Sequence, residues 1–133
     1  MIRLEGTAWV AGPARGPALR LERPLSFWGG VDPVTATVSD PRHPQFGVSL
    51  RDRIVLLSST VGSSSSSAIL LELIRSGRAP AGIVLARPDA ILALGSLVAR
   101  ELGYRPVPIY LVAETAWAEV RTDDLVELTP SPA

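Results

Sequence analysis

The chain has 133 residues, enough for one domain, and 47% of them are hydrophobic, enough to form a core. The 13 basic and 13 acidic residues cancel, so charge gives no reason to expect a nucleic acid or an anionic membrane as partner. Cysteine is absent, which excludes disulfides, thiolate nucleophiles and cysteine-ligated metal on this chain. We expect a single cytoplasmic domain over residues 1–133, with no signal peptide and no membrane span.

The first half of the chain is predicted to be rich in β-structure. The expected strands are Ile2–Ala11, Ala18–Leu21 and the β-branched stretch Val34–Val38. Proline and glycine over residues 12–17 predict a turn between the first two strands. Residues 24–33 predict a loop that contains two adjacent glycines, Phe27 and Trp28, and residues 40–44 predict a second, polar loop.

The second half alternates strands and helices. The expected strands are Ile54–Leu57, Ile83–Ala86, Pro108–Val112 and Leu125–Leu128, and the expected helices are Ser65–Ser76 and Asp89–Leu102. Asp89 is a typical N-cap, and Gly77 and Gly103 are typical of helix ends. This spacing predicts parallel strands joined by right-handed crossovers. The fold class is therefore α/β, with a β-rich N-terminal half, a parallel βαβαβ C-terminal half and a frayed tail over residues 129–133.

Five consecutive serines, Ser63–Ser67, follow Gly62 where a buried strand gives way to a helix. Gly62 permits a tight turn or a positive φ and close approach of a ligand. The hydroxyls and the first amides of the helix can bind a carboxylate or a phosphate there. The segment is not a P-loop, because the lysine of that motif is missing. The alternative is an N-cap with small neighbours, although a cap needs only one serine.

Two further features have structural and functional interpretations. In the 24–33 loop, aromatic anchors could hold the backbone toward a ligand, or the loop could simply close one end of a barrel. His43 is the only histidine, and a loop histidine between prolines is more often exposed or hydrogen-bonded than catalytic. No second histidine or cysteine exists to form a transition-metal site with it. The acidic residues Asp123, Asp124 and Glu127 are typical of a solvated face.

Four segments together resemble the small subunit, or swivelling domain, of the aconitase X type dehydratases. In chain order they are Leu25–Pro33, Asp40–Pro44, Gly62–Ser67 and Arg75–Ile83. The run Ser-Phe-Trp-Gly-Gly-Val-Asp-Pro is the most specific, followed by the Gly-Ser tract with its helix and Gly-x-Ala-Pro turn. The resemblance covers nearly the whole chain.

The resemblance implies a swivelling β/β/α domain that docks on a large catalytic subunit. That subunit would carry an iron–sulfur cluster or iron, so that this chain needs no cofactor or metal of its own. The reaction would be dehydration of a hydroxy acid, cis-3-hydroxy-L-proline in bacteria or a phosphorylated mevalonate in archaea. The resemblance makes Ser63 the proton acceptor. The residues expected to bind substrate are Gly62, Ser64, Ser65, Ser26, Gly29, Gly30 and Asp32.

One difference between this chain and the family's sequence pattern bears on the identity of the substrate. The family often has Gly-Arg-Gly-Ser-Ser where this chain has Thr60-Val61-Gly62 before the serines, so another arginine, such as Arg15, would have to replace the missing one, or the substrate differs. All 13 basic residues are arginine and asparagine is absent, which indicates GC-rich coding and favours the bacterial substrate, cis-3-hydroxy-L-proline. The alternatives are a phosphomevalonate dehydratase small subunit, a non-catalytic carboxylate-binding module, or a subunit that only closes a partner's site.

Overall fold

The computed structural model describes residues 1–62 and 64–132. The described residues form a closed barrel with the strand order β1-β5-β4-β3-β2-β6. The strands are β1 (Ile2–Val10), β2 (Ala14–Arg20), β3 (Ile54–Leu57), β4 (Gly82–Leu85), β5 (Ile109–Leu111) and β6 (Leu125–Pro130). The helices are the short α1 (Phe27–Gly30), α2 (Ser66–Arg75), α3 (Ala90–Glu101) and a 3-10 turn at Glu114–Trp117.

The predicted βαβαβ unit is confirmed. Strand β3 is parallel to β4, and β4 is parallel to β5, with α2 and α3 as the crossovers. All residues of β3 and β4 are buried, as expected for parallel strands covered on both faces. Asp89 caps α3 as predicted, with its carboxylate accepting from the Leu92 N–H at 3.0 Å. Gly77 and Gly103 follow the two helices with φ of 73° and 89°.

The two halves of the chain share one sheet. Strand β6 lies between β1, to which it is parallel, and β2, to which it is antiparallel. The prediction of a frayed tail is therefore wrong at its start: Thr129 and Pro130 pair with Glu5 and Gly6 of β1. Strand β2 begins at Ala14, earlier than predicted, because β6 pairs with the Gly-Pro segment expected to be a turn.

The predicted strand Val34–Val38 is also wrong. Asp32 folds this stretch into a turn, because its carboxylate accepts from the Val34 N–H at 2.8 Å and its carbonyl from the Ala36 N–H at 2.8 Å. Ala36 has a φ of 61°, outside the β region. Among the described residues, two isolated bridges, Val31 with Val38 and Thr37 with Ser49, are what remains of a strand in this stretch.

Side chains of each parallel strand alternate between two hydrophobic clusters. In β3, Ile54 and Leu56 point into the barrel, which is closed by Trp117, whereas Val55 and Leu57 pack under the helices. The helices approach closely at Gly95 of α3, where an added Cβ would lie 2.5 Å from the Ser67 carbonyl oxygen. Gly95 therefore sets the position of the first turn of α2. None of the helices in the described part of the chain is long and apolar enough to cross a membrane.

Candidate functional site at the carboxyl edge of the parallel strands

We call residues 58–65, which connect β3 to α2, the serine turn. Its described residues lie at the carboxyl edge of the parallel strands. The loop that follows β4 lies beside it, since the Arg87 N–H donates to the Ser58 carbonyl at 3.0 Å. Ligands of α/β proteins bind at the carboxyl ends of the parallel strands, in barrels as in open sheets, because loops and helix N-termini converge there. The fold thus places the predicted anion-binding turn at an edge suited to a site.

The aromatic loop and the serine turn, although distant in sequence, are neighbours. Leu25 forms a parallel bridge with Thr60, and the Val61 N–H donates to the Leu25 carbonyl at 3.1 Å. A groove of about 470 Å³ runs beside this contact. Its lining includes Ser26, Trp28, Gly29, Gly30, Asp40, Arg42 and Val61. Three of the predicted substrate-binding residues, Ser26, Gly29 and Gly30, therefore share one groove with the start of the serine turn.

The aromatic loop is held by contacts within itself. Phe27 is fully buried and anchors it, whereas Trp28 is 57% exposed. The Ser26 hydroxyl donates to the Trp28 carbonyl at 2.9 Å, and the Gly30 carbonyl accepts from the Ser39 N–H at 2.9 Å. Gly29 has a φ of 78°, which favours glycine, and it is exposed. Phe27 therefore anchors the loop as expected, whereas Trp28 does not, and the binding of a ligand by the loop backbone stays a prediction.

Asp32 lies apart from the groove. Its carboxylate accepts from the Val34 N–H and, at 3.3 Å, from the Thr35 N–H. These contacts give the side chain a local structural role in the turn. Binding of substrate by Asp32 stays a prediction, and the lining of the groove gives it no support.

The serine run divides between turn and helix. Ser63, the predicted base, lies outside the described residues. Gly62 and Ser64 are exposed on either side of it, and Ser65 is the N-cap residue of α2. Ser66 and Ser67 form the first turn of α2, as predicted, and the Ser67 hydroxyl donates to the Ser64 carbonyl at 3.4 Å.

Gly62 does not need to be glycine for its own conformation. It is not among the glycines with positive φ, contrary to one of the two possibilities that the sequence suggested. A Cβ built on Gly62 would meet no atom of the described residues within 4 Å. The space beside Gly62 is therefore open, which fits close approach of a group from outside the chain.

Ser66 has an unusual hydroxyl. The residue is 1% exposed, and among the described residues its Oγ has no hydrogen-bond partner. Leaving a buried hydroxyl unpaired costs about 1–3 kcal/mol. The first turn of α2 thus carries a polar group that the rest of the described chain does not satisfy.

Thr60 and Asp89 form a contact that the sequence analysis missed. The Thr60 hydroxyl donates to one carboxylate oxygen of Asp89, while the other oxygen caps α3 at Leu92. Asp89 therefore ties the chain just before the serine turn to the start of the neighbouring helix. Its capping role could be predicted from local pattern, but its partner 29 residues away could not.

The polar loop contributes a charged pair and a structural histidine. The Arg42 amide and guanidinium donate to Asp40 and hold the pKa of that carboxyl below its ordinary value, so Asp40 is ionised at neutral pH. His43 is buried; its Nδ1 accepts from the Gln45 N–H at 3.0 Å, and its Nε2 lies 3.2 Å from the Arg23 carbonyl. The hydrogen-bonded interpretation of His43 is confirmed.

The described residues do not fit a metal centre. Nowhere in residues 1–62 and 64–132 do three or more histidine, aspartate or glutamate side chains gather as metal ligands. The chain also has no cysteine.

Fold and edge site together define the class of this protein. In the crystal structure of Thermococcus kodakaraensis aconitase X, a chain superposes with a TM-score of 0.80 at 28% identity, covering 93% of this chain and 88% of that one. The α/β fold is thus that of the swivelling domain, as predicted. The family described as the aconitase X swivel domain matches residues 3–132, and this chain belongs to it.

Curated relatives carry two names. The chain is 50% identical over 105 residues to cis-3-hydroxy-L-proline dehydratase of Pseudomonas aeruginosa, which covers 79% of this chain and 18% of that protein. It is 35% identical over 130 residues to the phosphomevalonate dehydratase small subunit of Methanopyrus kandleri, covering 97% of this chain and 92% of that one. The chain spans about a fifth of the length of the hydroxyproline dehydratases that it matches.

Proposed function

We propose that this chain is the small subunit of an aconitase X type hydro-lyase that dehydrates cis-3-hydroxy-L-proline, with Ser63 as the base. The observation that carries the proposal is the junction of two loops at one open edge. Gly62 and Ser64, which flank Ser63 in sequence, are exposed there beside the groove of the aromatic loop. Relatives named for this dehydration share up to half of their aligned residues with the chain.

The proposed chemistry is an elimination. The Ser63 oxygen, as alkoxide, takes the proton from the carbon that bears the substrate carboxylate, and the C–H electron pair forms the new C=C bond. The C–O bond breaks, and the β-hydroxyl departs as hydroxide, which becomes water by taking a proton from solvent. Loss of the Ser63 proton to solvent restores the alkoxide. A serine hydroxyl is a weak base unless its oxyanion is stabilised. The N-terminal amides of α2 supply partial positive charge at this place, since the first amides of a helix lie outside its own hydrogen-bond ladder.

The groove would hold the rest of the substrate. Ser64, Ser65 and the open space at Gly62 are proposed to contact the carboxylate and the base. The groove backbone at Gly29 and Gly30, with Ser26, is proposed to face the substrate ring. Asp32 stays a weaker candidate, because its carboxylate is committed to its own turn.

The remainder of the active site would lie on a partner. Relatives of similar length are named small subunits, and the hydroxyproline dehydratases are about five times as long as the matched region. We infer a large catalytic subunit, and the iron or iron–sulfur centre implied by the resemblance belongs to it in this proposal.

The groove favours hydroxyproline, which carries no phosphate, over a phosphorylated substrate. Val61, at the position where the family often has arginine, is 55% exposed and uncharged. Arg42, the arginine of the groove, is paired with Asp40 at 3.2 Å. A phosphate would demand positive charge that this pairing neutralises. Phosphomevalonate remains the alternative substrate, because the small subunits named for it align over almost the whole chain.

The test is turnover of the complex assembled with its large subunit. Ser63→Ala should lower kcat on cis-3-hydroxy-L-proline about 1,000-fold or more, as expected for loss of a general base, while the complex still forms. Ser76→Ala, at the other end of α2, is the matched control and should leave kcat unchanged. Phosphomevalonate should not be turned over by the wild-type complex.

Other outcomes would select the alternatives. An active Ser63→Ala complex would leave the chain a structural subunit that closes a partner's site. If no large subunit binds and the isolated chain binds a hydroxy acid, the chain is a carboxylate-binding module. Turnover of phosphomevalonate in place of hydroxyproline would contradict the proposed substrate, while the assignment of Ser63 as the base could still hold.

A further inference from the structure

Helix α3 has an apolar outer face. Three of its large hydrophobic residues and its C-cap residue are exposed at helical spacing: Ile91 (43%), Leu94 (52%), Val98 (37%) and the C-cap Leu102 (62%). We call these four residues the α3 stripe. The opposite face, with Leu92, Ala93, Ser96 and Ala99, is buried against the sheet and α2. The helix is therefore apolar on both sides.

Charge is missing from most of this helix. From Ala90 to Ala99 no residue is charged, and only Arg100 and Glu101 in the last turn are. A helix that is apolar all round is normally covered on all sides. A contiguous exposed apolar patch on a protein marks an interaction site. The α3 stripe therefore fits a protein surface of the same apolar character.

The stripe is continuous with the candidate site. At its start, Asp89 accepts from Thr60, which directly precedes the exposed Val61 beside the groove. Trp9, 40% exposed, lines a small pocket together with Pro88 and Asp89 at the same end of the helix. Through the Thr60–Asp89 contact, the start of the stripe is thus tied to the rim of the groove at Val61.

We propose that the α3 stripe is a docking surface for the large subunit, which would cover the stripe and the rim of the serine turn together. This inference rests on the proposed function, because the large subunit is part of that proposal. The continuity of stripe and site favours one partner for both. In the hydroxyproline dehydratases, the region that matches this chain is about a fifth of a longer polypeptide. The other four fifths of such a fused protein are large enough to cover both the stripe and the site.

A second copy of this chain fits the stripe less well. The 12 residues of α3 form a helix about 18 Å long and about 10 Å wide, so that one face offers about 200 Å². A stable interface buries about 800 Å² on each partner. A second copy could reach that area only by extending over the carboxyl edge, where it would close the serine turn to substrate.

The experiment titrates the chain with its large subunit, taken as the polypeptide of the same genome that aligns with the rest of the fused dehydratase. Leu94→Glu places a charge in the middle of the stripe and should weaken the Kd about 30-fold or more, the loss typical of a central interface residue. Leu125→Glu is the matched control, because Leu125 is 53% exposed and lies on β6 beside Pro17, at the opposite end of the strands from the serine turn; it should leave the Kd within about twofold. Both variants should melt close to the wild type, because both sites are exposed.

Each other outcome overturns the proposal. An unchanged Kd for Leu94→Glu and for a second variant, Val98→Glu, would place the large subunit elsewhere. Light scattering could show that the isolated chain is a dimer. If Leu94→Glu then separates the dimer without changing the Kd for the large subunit, the stripe binds a second copy of this chain instead. If no complex forms at all, the large subunit is not a partner of this chain and the proposal fails.

Failure of the docking surface and failure of the proposed function are separable. Binding is measured without substrate, and turnover is measured with large subunit in excess over the weakened Kd. A complex that Leu94→Glu weakens but that does not dehydrate hydroxyproline would support docking and contradict the function. An active complex that Leu94→Glu leaves intact would support the function and contradict the docking surface.

Discussion

Helices α2 and α3 pack against each other on one side of the barrel, and they differ at both their N-termini and their outer faces. Helix α2 begins in the serine run and shows solvent a charged pair, Glu72 and Arg75, with 2.6 Å between the guanidinium and the carboxylate. Helix α3 begins at a capping aspartate and shows solvent the α3 stripe. In the proposed function, the start of α2 contributes to the active site, whereas α3 supports that start and binds the large subunit.

The difference extends to the buried serine of each helix. Ser96 of α3 donates to the Val107 carbonyl at 2.7 Å and accepts from the Val107 N–H at 2.8 Å. Ser66 of α2 has no such partner in the described part of the chain. A satisfied serine joins α3 to the segment before β5, whereas the unsatisfied one lies at the proposed site. The buried serine thus stabilises the fold in α3, whereas in α2 its unpaired hydroxyl lowers the stability of the isolated chain.

The largest expected effect on stability comes from separating the two helices. Gly95→Ala would place a methyl group 2.5 Å from the Ser67 carbonyl oxygen, and backbone cannot yield as a side chain can. We expect unfolding in urea to show a loss of about 2 kcal/mol, because overpacking outweighs the gain in helix propensity. Gly62→Ala, whose Cβ has open space, should lose far less; equal losses would mean that the close helix contact does not matter.

The two buried serines should respond to alanine with opposite signs. Ser96→Ala leaves the Val107 amide and carbonyl unpaired and should cost about 2 kcal/mol. Ser66→Ala removes an unpaired hydroxyl from a helix and should stabilise the isolated chain by up to about 1 kcal/mol. Urea midpoints of both variants check this, and a destabilised Ser66→Ala would show that the hydroxyl has a partner beyond the described residues.

A smaller effect than those of Gly95→Ala and Ser96→Ala, and one on catalysis, is expected from the tie between the serine turn and α3. Thr60→Val keeps the shape of the side chain and removes its bond to Asp89. If Thr60 positions the turn for catalysis, kcat of the complex should fall about tenfold, equivalent to about 1.4 kcal/mol, with KM little changed. Thr60→Ser restores the hydroxyl and should restore kcat; a lowered melting temperature with normal kcat would leave Thr60 a purely structural residue.

Local pattern predicted the α/β half well. The buried runs of β3 and β4, the cap at Asp89 and the glycines after each helix lie close together in sequence, so that α2 and α3 were found nearly to the residue. The closure of the barrel was not predictable in this way. Strand β6 inserts between β1 and β2 through pairs more than 100 residues apart, such as Ala14 with Leu128.

The missed features of the site have the same cause. The contact of Thr60 with Asp89 and the bridge of Leu25 with Thr60 depend on which loops meet at the edge of the sheet. The β-propensity of Val34–Val38 predicted a strand, but the hydrogen bonds of Asp32 stabilise a turn there instead. The exposed face of α3 left a signal that could have been found, since Ile91, Leu94 and Val98 repeat at helical spacing with no charge among them. The role of Ser63 stays a prediction.

The most direct test of the central claim follows the bond that Ser63 is proposed to break. cis-3-Hydroxy-L-proline labelled with deuterium at the carbon bearing the carboxylate would be mixed with the complex, and release of deuterium to water would be timed. The account predicts release at the rate of dehydration in the wild type and a rate about 1,000-fold lower in Ser63→Ala with the complex intact. Release at the wild-type rate in Ser63→Ala would contradict it.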